Sequence, residues 1–312
     1  MLSLSTSVAL ADALVEQKTR VQFGGVVGAV ANVFGGKATR DGITSSTAVK
    51  GNRMLTTNGR TGQLVDLSEE KVYDINFDRK TYGVTTFAEL RKQYEDARKE
   101  MEAETKESKG QKQEGPEYDV DFDVNDTGKR ETINGFNARQ VIVTVTVREK
   151  GKKLEESGGF VLTSDMWMGP KIPAMREIND FHRRYFQKLY GNPAAEMQQM
   201  AVLMATTPAF GKAMKVFSEK KNTLDGEPVR TNLTFETVAA PGQRGEASEA
   251  SAGSATPSAV VGGLLRGALK KRQEAKSPET ANRSKMFDSS NEVLRADSNA
   301  GDVSIPAGFK QK

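Results

Sequence analysis

The chain has 312 residues, 37% of them apolar, with 45 Lys and Arg against 41 Asp and Glu for a formal charge of +4. That composition can bury a sizeable core, and its uneven spread favours one main domain with appendages; the interleaving of both charge signs argues against nucleic acid as a partner. With no cysteine and a single histidine, His182, disulfides, thiolate metal sites and a cysteine nucleophile are excluded, and little remains for metal or triad chemistry.

Residues Leu2 to Ala11 form a short run of small and apolar side chains ending Ala9-Leu10-Ala11, the small-x-small pattern read by a signal peptidase. They read as the tail of a signal peptide, residues 1–11, which places the mature protein in the periplasm or outside the cell. No later run reaches the roughly 18 apolar residues of a membrane-spanning helix, so a chain that does not span the membrane is expected.

From Ala13 to Phe23 the pattern predicts a first strand, closed by Gly24-Gly25, followed by a Gly- and Ala-rich apolar piece from Val26 to Phe34. Strands are expected over Thr44–Val49, Arg53–Thr57, Gln63–Leu67 and Lys71–Phe77, where Tyr73, Ile75 and Phe77 alternate with Asp74 and Asn76. Thr86 and Glu89 have capping-box spacing, and Phe87, Leu90, Tyr94, Ala97 and Met101 then recur at helical spacing. The polar stretch from 102 to Pro116 reads as a frayed helix end and loop.

The middle of the chain is the most sheet-like. Val120, Phe122 and Val124 share one parity, as do Val141, Val143, Val145 and Val147, and Phe160 to Trp167 follows as another strand. Helical spacing returns with Met175, Ile178, Phe181, Tyr185 and Leu189, then with Met197, Met200 and Met204, and in a shorter helix with Phe210, Met214 and Phe217. Val229, Thr231, Leu233 and Phe235 predict one more strand. Composition then shifts to Ala, Gly, Ser, Pro and Glu, so residues 239–290 read as a low-complexity flexible segment and 291–312 as a tail that docks back as a strand.

Three constellations bear on chemistry. Asp119, Asp121, Asp123 and Asp126 fail as a calcium loop, because Val124 stands where the glycine is required and Arg130 at the twelfth position; an acidic strand face explains them. His182 lies in a helix without an orienting carboxylate or a nucleophile at useful spacing. The methionine stripe fits ordinary core or an adaptable apolar surface. No catalytic residue, metal or cofactor is indicated.

Several short segments in a shared order carry a resemblance: Leu64-Val65-Asp66-Leu67, Lys80-Thr81-Tyr82, Thr85-Thr86-Phe87, Ile133-Asn134-Gly135-Phe136, Asp165-Met166-Trp167 and Ile305-Pro306-Ala307-Gly308-Phe309. In these the chain resembles a family of exported bacterial proteins of unassigned function, itself similar to the lipoprotein-carrier (LolA-like) group. The resemblance implies an α+β fold over residues 12–238, a half-open barrel of curved antiparallel sheet packed by helices around a place for an apolar ligand. It brings no catalytic residues.

The expected function is therefore a non-enzymatic module holding an acyl chain or lipoprotein segment between sheet and helices, with Val141, Val143, Val145, Phe160 and Trp167 as wall residues. The alternative is a structural or interaction protein of the cell envelope with a filled core, recruiting another envelope protein through a mobile segment at 239–290 or the exposed helix at 86–104. An enzyme would require carboxylates such as Asp74, Asp165 or Glu177 to converge.

Overall fold

The sheet grows from hairpins whose turns are written locally. At the longest of them, Asn134 and Gly135 adopt φ of 49° and 87°, the left-handed pair that a two-residue turn between twisted strands requires and that asparagine and glycine reach most easily. A computed structural model of the chain describes residues 12–23, 41–108, 117–191, 219, 221–241, 283–299 and 301–312. Within them lie strands β1 (Ala13–Phe23), β2 (Ile43–Lys50), β3 (Arg53–Thr57), β4 (Thr61–Asp66), β5 (Lys71–Asn76), β6 (Thr81–Thr86), β7 (Tyr118–Ile133), β8 (Phe136–Glu149), β9 (Gly159–Gly169), β10 (Glu227–Val238), β11 (Arg283–Asp297) and β12 (Lys310–Gln311). Three helices accompany them: α1 (Phe87–Ser108), the single turn α2 (Leu154–Ser157) and α3 (Pro173–Tyr190).

All twelve strands belong to one sheet, in the order β12-β6-β5-β4-β3-β2-β1-β11-β10-β9-β8-β7. Every pairing is antiparallel except that of β12 with β6, and β12 and β7 form the two ends, so the sheet is not closed. Two meanders make it up, β1 to β6 and β7 to β10, and β11 joins them by pairing with both β1 and β10.

That central role of β11 corrects the expected organisation of the C-terminal part. Residues 283–290, read as part of a flexible segment, pair with β10, and from Phe287 onward with β1 as well. The sequence Arg283–Asp297 has its apolar residues at 286–287, 293–294 and 296, without the alternation that marks a strand. Its ordering is offset by backbone hydrogen bonds, from both neighbours over Phe287–Glu292 and from one beyond, which composition does not register. Residues 301–312 return to the first meander, where Lys310 N–H donates to the Lys80 carbonyl (3.1 Å) and Lys312 N–H to that of Tyr82 (3.0 Å). The strand β6 was not anticipated, because Thr81–Thr86 has neither an apolar run nor a clean alternation. The leader at 1–11, the apolar piece at 26–34 and the two methionine- and phenylalanine-bearing helices expected between 193 and 217 lie outside the described residues.

In the first meander both faces are covered. One face carries the cross-strand row Ala13, Val49, Met54, Val65 and Val72, which joins Phe87 of α1 and Phe181 and Leu189 of α3 in the principal core. The helix α1 starts as its capping box predicts: Thr86 N–H donates to the Glu89 carboxylate (2.7 Å) and Glu89 N–H to Thr86 Oγ1 (3.2 Å). Arg91 then donates to the Lys188 carbonyl (3.0 Å), tying α1 to α3, and Arg184 donates to Asn52 and Gly51, tying α3 to the turn between β2 and β3. On the reverse face Leu14, Ala48, Leu55, Leu64 and Tyr73 form a second row, covered by Val303, Ile305 and Phe309 of the C-terminal segment. Phe309 meets Phe77 edge to face, with ring centroids 5.8 Å apart.

Candidate functional site

The second meander presents a different surface. Residues directly opposite across antiparallel strands share a sheet face, so the register can be followed from strand to strand. Phe122 pairs with Val145, Val145 with Leu162, Leu162 with Phe235, Phe235 with Phe287, and Phe287 with Phe23. One apolar row thus crosses six strands, from β7 to β1. Val124, Val143, Ser164, Leu233, Ser289 and Val21 form the row beside it, and Val120, Val147 and Phe160 flank the other side.

Burial along this valine face is graded. Val141 (0% exposed), Val143 (8%), Val124 and Met168 form a small closed cluster with Met166 and Leu224 against it. Val145, Leu162, Phe160, Phe235 and Phe287 are only half-buried, and Phe23 is 44% exposed. The aromatic members touch: Phe235 lies 5.5 Å from Phe160 and 5.7 Å from Phe287, centroid to centroid. Such contacts hold the rings in a continuous apolar strip.

The reverse face of the same strands is polar over most of its length, and near the β7–β8 turn Ile133, Phe136, Ala138 and Trp167 join the principal core. The polar rows run Asp123, Thr144, Thr163, Thr234, Asp288, Gln22 and Asn125, Ile142, Asp165, Asn232, Ser290, Arg20. Arg148 binds Asp121 (2.8 Å) and Asp119 (3.4 Å), and Gln140 donates to Asp165 (2.9 Å) while accepting from Thr127 (3.0 Å). Nearer the β7–β8 turn, Arg230 bridges Glu292 (2.7 Å) and Glu131 (3.2 Å), and the Asn134 amide donates to Glu292 and to the Val293 carbonyl. Burial alone would raise the Glu292 pKa; the Arg230 guanidinium and the Asn134 amide outweigh it and hold that carboxyl below its ordinary value.

Neither family models nor curated proteins nor solved structures yield a match to this chain. Function has to be read from the surface itself.

Of the five residues singled out from sequence, the sheet brings Val141, Val143, Val145 and Phe160 to one face. Trp167 stands apart from them. It pairs with Gln140 and Arg230, on the reverse side of the pleat, and packs against the principal core. Trp167 lies seven positions after Phe160, and an odd spacing along a strand changes face. Sequence reasoning missed Leu162, Phe235, Phe287, Phe23 and Phe122 as members of the same strip. Their strand parity was legible for all but Phe287, which fell in the segment read as flexible, but the register between distant strands was not.

The carboxylates that an enzyme reading would need do not meet. Asp74 on β5 accepts from Gln63 (3.0 Å), and Asp165 on β9 is seven strands away on the opposite face, held by Gln140. His182 sits on the exposed side of α3, with partial desolvation lowering its pKa. Among the described residues no group of three or more His, Asp or Glu could hold a metal ion, and no helix is long and apolar enough to cross a membrane. Two open concavities, of about 580 and 630 Å³, lie beside Arg148 and Lys152 and beside Arg130 and Arg139 respectively, both away from the aromatic strip.

Proposed function

We propose that this protein is a non-enzymatic binding module of the bacterial cell envelope, which shelters an acyl chain or an apolar lipoprotein segment against the valine face of the second meander. In this reading residues 1–11 are the end of an export signal, the sheet curves as a half-open barrel, and its concave side is the valine face. The observation that carries it is the strip Phe122, Val145, Leu162, Phe235, Phe287 and Phe23, contiguous across six strands and only half-buried over much of its length. Covering such a strip with a ligand gains about 25 cal/mol for every Å² of apolar surface removed from water. Binding by burial requires no acid, base or nucleophile, and the polar reverse face suits contact with water.

A second reading rests on Val141 and Val143, which are already packed with Val124 and Met168. It makes the face a filled core and the protein a structural or interaction component of the envelope. Native mass spectrometry of the full chain, purified from its own envelope fraction and then offered phospholipid, separates the two. An acyl-chain adduct that is lost on Phe235→Ser, with circular dichroism unchanged, supports the binding module. A ligand-free mass that persists with added lipid supports the filled core.

A further inference from the structure

The end of the sheet at β7 carries a second recognition feature, independent of the apolar strip. This strand pairs with β8 on one side, and no described strand pairs with its other side. From Tyr118 to Asp126 its register with β8 is unbroken, nine residues opposite Glu149 to Val141, before a shift between Asp126 and Arg130 ends the regular ladder. Along that stretch the faces alternate strictly. Tyr118, Val120, Phe122 and Val124 belong to the valine face, with Tyr118 55% exposed, and Asp119, Asp121 and Asp123 stand in a row on the reverse.

We propose that the outer edge of β7 is a seat for an added strand, and that its partner is an extended segment of another polypeptide in which Lys or Arg alternates with apolar residues. Backbone hydrogen bonding at a sheet edge supplies affinity for any extended chain, and the side chains on either face select among them. An incoming strand in register would set its apolar residues beside Tyr118, Val120, Phe122 and Val124 and its alternate residues beside the aspartates. Opposite charges in such cross-strand positions attract and like charges repel. The same rule disfavours a second copy of this chain as the occupant: antiparallel pairing of 118–126 with itself, faces matched, sets aspartate against aspartate. Arg148 already partners Asp119 and Asp121 from β8, showing that this row accepts cations from a neighbouring strand.

The test uses the full chain and fluorescently labelled peptides of about nine residues, the span of the regular edge. An alternating Lys-Val peptide is expected to bind at least about tenfold more tightly than an alternating Glu-Val peptide or a Lys-Val peptide with its residues in blocks, to lose affinity as salt rises, and to slow hydrogen exchange at β7 amides. The double variant Asp121→Lys with Asp123→Lys, with circular dichroism unchanged, should reverse the preference toward Glu-Val, and Asp123→Lys alone, which leaves the Arg148 pair with Asp121 in place, should weaken it. Equal binding of the blocked and alternating peptides would reduce the effect to unspecific charge attraction and overturn the proposal. So would a preference that survives the double variant, or β7 amides fully protected without peptide, which would mean the edge is already occupied.

Discussion

The two meanders share strand type and hydrogen-bonding pattern, yet they are covered in opposite ways. In β1 to β6 each face meets a partner, the helices α1 and α3 on one side and the C-terminal segment on the other, so apolar residues of both parities are buried. In β7 to β10 one face carries the half-buried apolar strip, and the other is polar along Asp119–Asn125 and its cross-strand partners, joining the principal core only near the β7–β8 turn through Ile133, Phe136, Ala138 and Trp167. A sheet with two apolar faces is structural; one with a single partly covered apolar face has surface left over for recognition. This contrast motivates placing the proposed ligand on the second meander.

The largest effect that would break the contrast concerns buried aromatics. Phe87 is fully enclosed and meets the tilted ring of Tyr185 with centroids 5.2 Å apart. Phe87→Ala should cost about 3–5 kcal/mol in urea unfolding, against about 1–2 kcal/mol for Phe235→Ala, which sheds less buried surface. Equal costs would mean that the valine face is as tightly packed as the first meander.

A smaller effect tests the polar support of the first meander. Asp66, only 2% exposed, accepts from Ser68 N–H (2.8 Å), Glu69 N–H (3.0 Å) and Arg53 (2.7 Å). Burial pushes its pKa up, but the Glu69 and Ser68 amides and the Arg53 guanidinium prevail, leaving it below its ordinary value of 3.8. A carboxyl lowered on folding stabilises the protein above its unfolded-state pKa, and that contribution is lost as pH falls through the folded-state value. Asp66→Ala should therefore cost about 2 kcal/mol at neutral pH, leaving the two amides without their acceptor. Thermal melts should show the gap between wild type and variant narrowing once the pH drops below 3.8. A gap that stays constant down to strong acid would show that the carboxylate charge contributes nothing.

The smallest change sharpens the boundary between β6 and α1. Thr86→Ala removes one side of the capping box and should lower stability by about 1 kcal/mol, with a matching loss of helical signal confined to α1. A loss that spread to hydrogen exchange in β7 or β8 would join the two meanders into one cooperative unit.

Much of the local structure was legible in the residues. The strand at Ala13–Phe23 was read with both its ends, and the Thr86-Glu89 box marked the start of α1. Parity grouped Val141, Val143 and Val145 and fixed which of their neighbours faced the other way. Two elements escaped for physical reasons: Thr81–Thr86 carries a weak pattern because both its neighbours, β5 and β12, hold it by backbone, and Arg283–Asp297 is polar for a central strand. Trp167 does not share the face of the valines, because face follows from counting along the strand and it stands at an odd spacing from Phe160.

What the sequence determined by itself is whatever depends on near neighbours: turn geometry at Asn134-Gly135, helix initiation at Thr86, and the alternation that makes one side of each strand apolar. Those preferences act over a few residues and leave a direct imprint in residue type. Which strands lie side by side, that β11 bridges the meanders, and that Phe122 and Phe23 end on a single strip were decided only by the tertiary structure. Such pairings join residues up to hundreds of positions apart through backbone groups that every residue carries alike, so no side chain announces them.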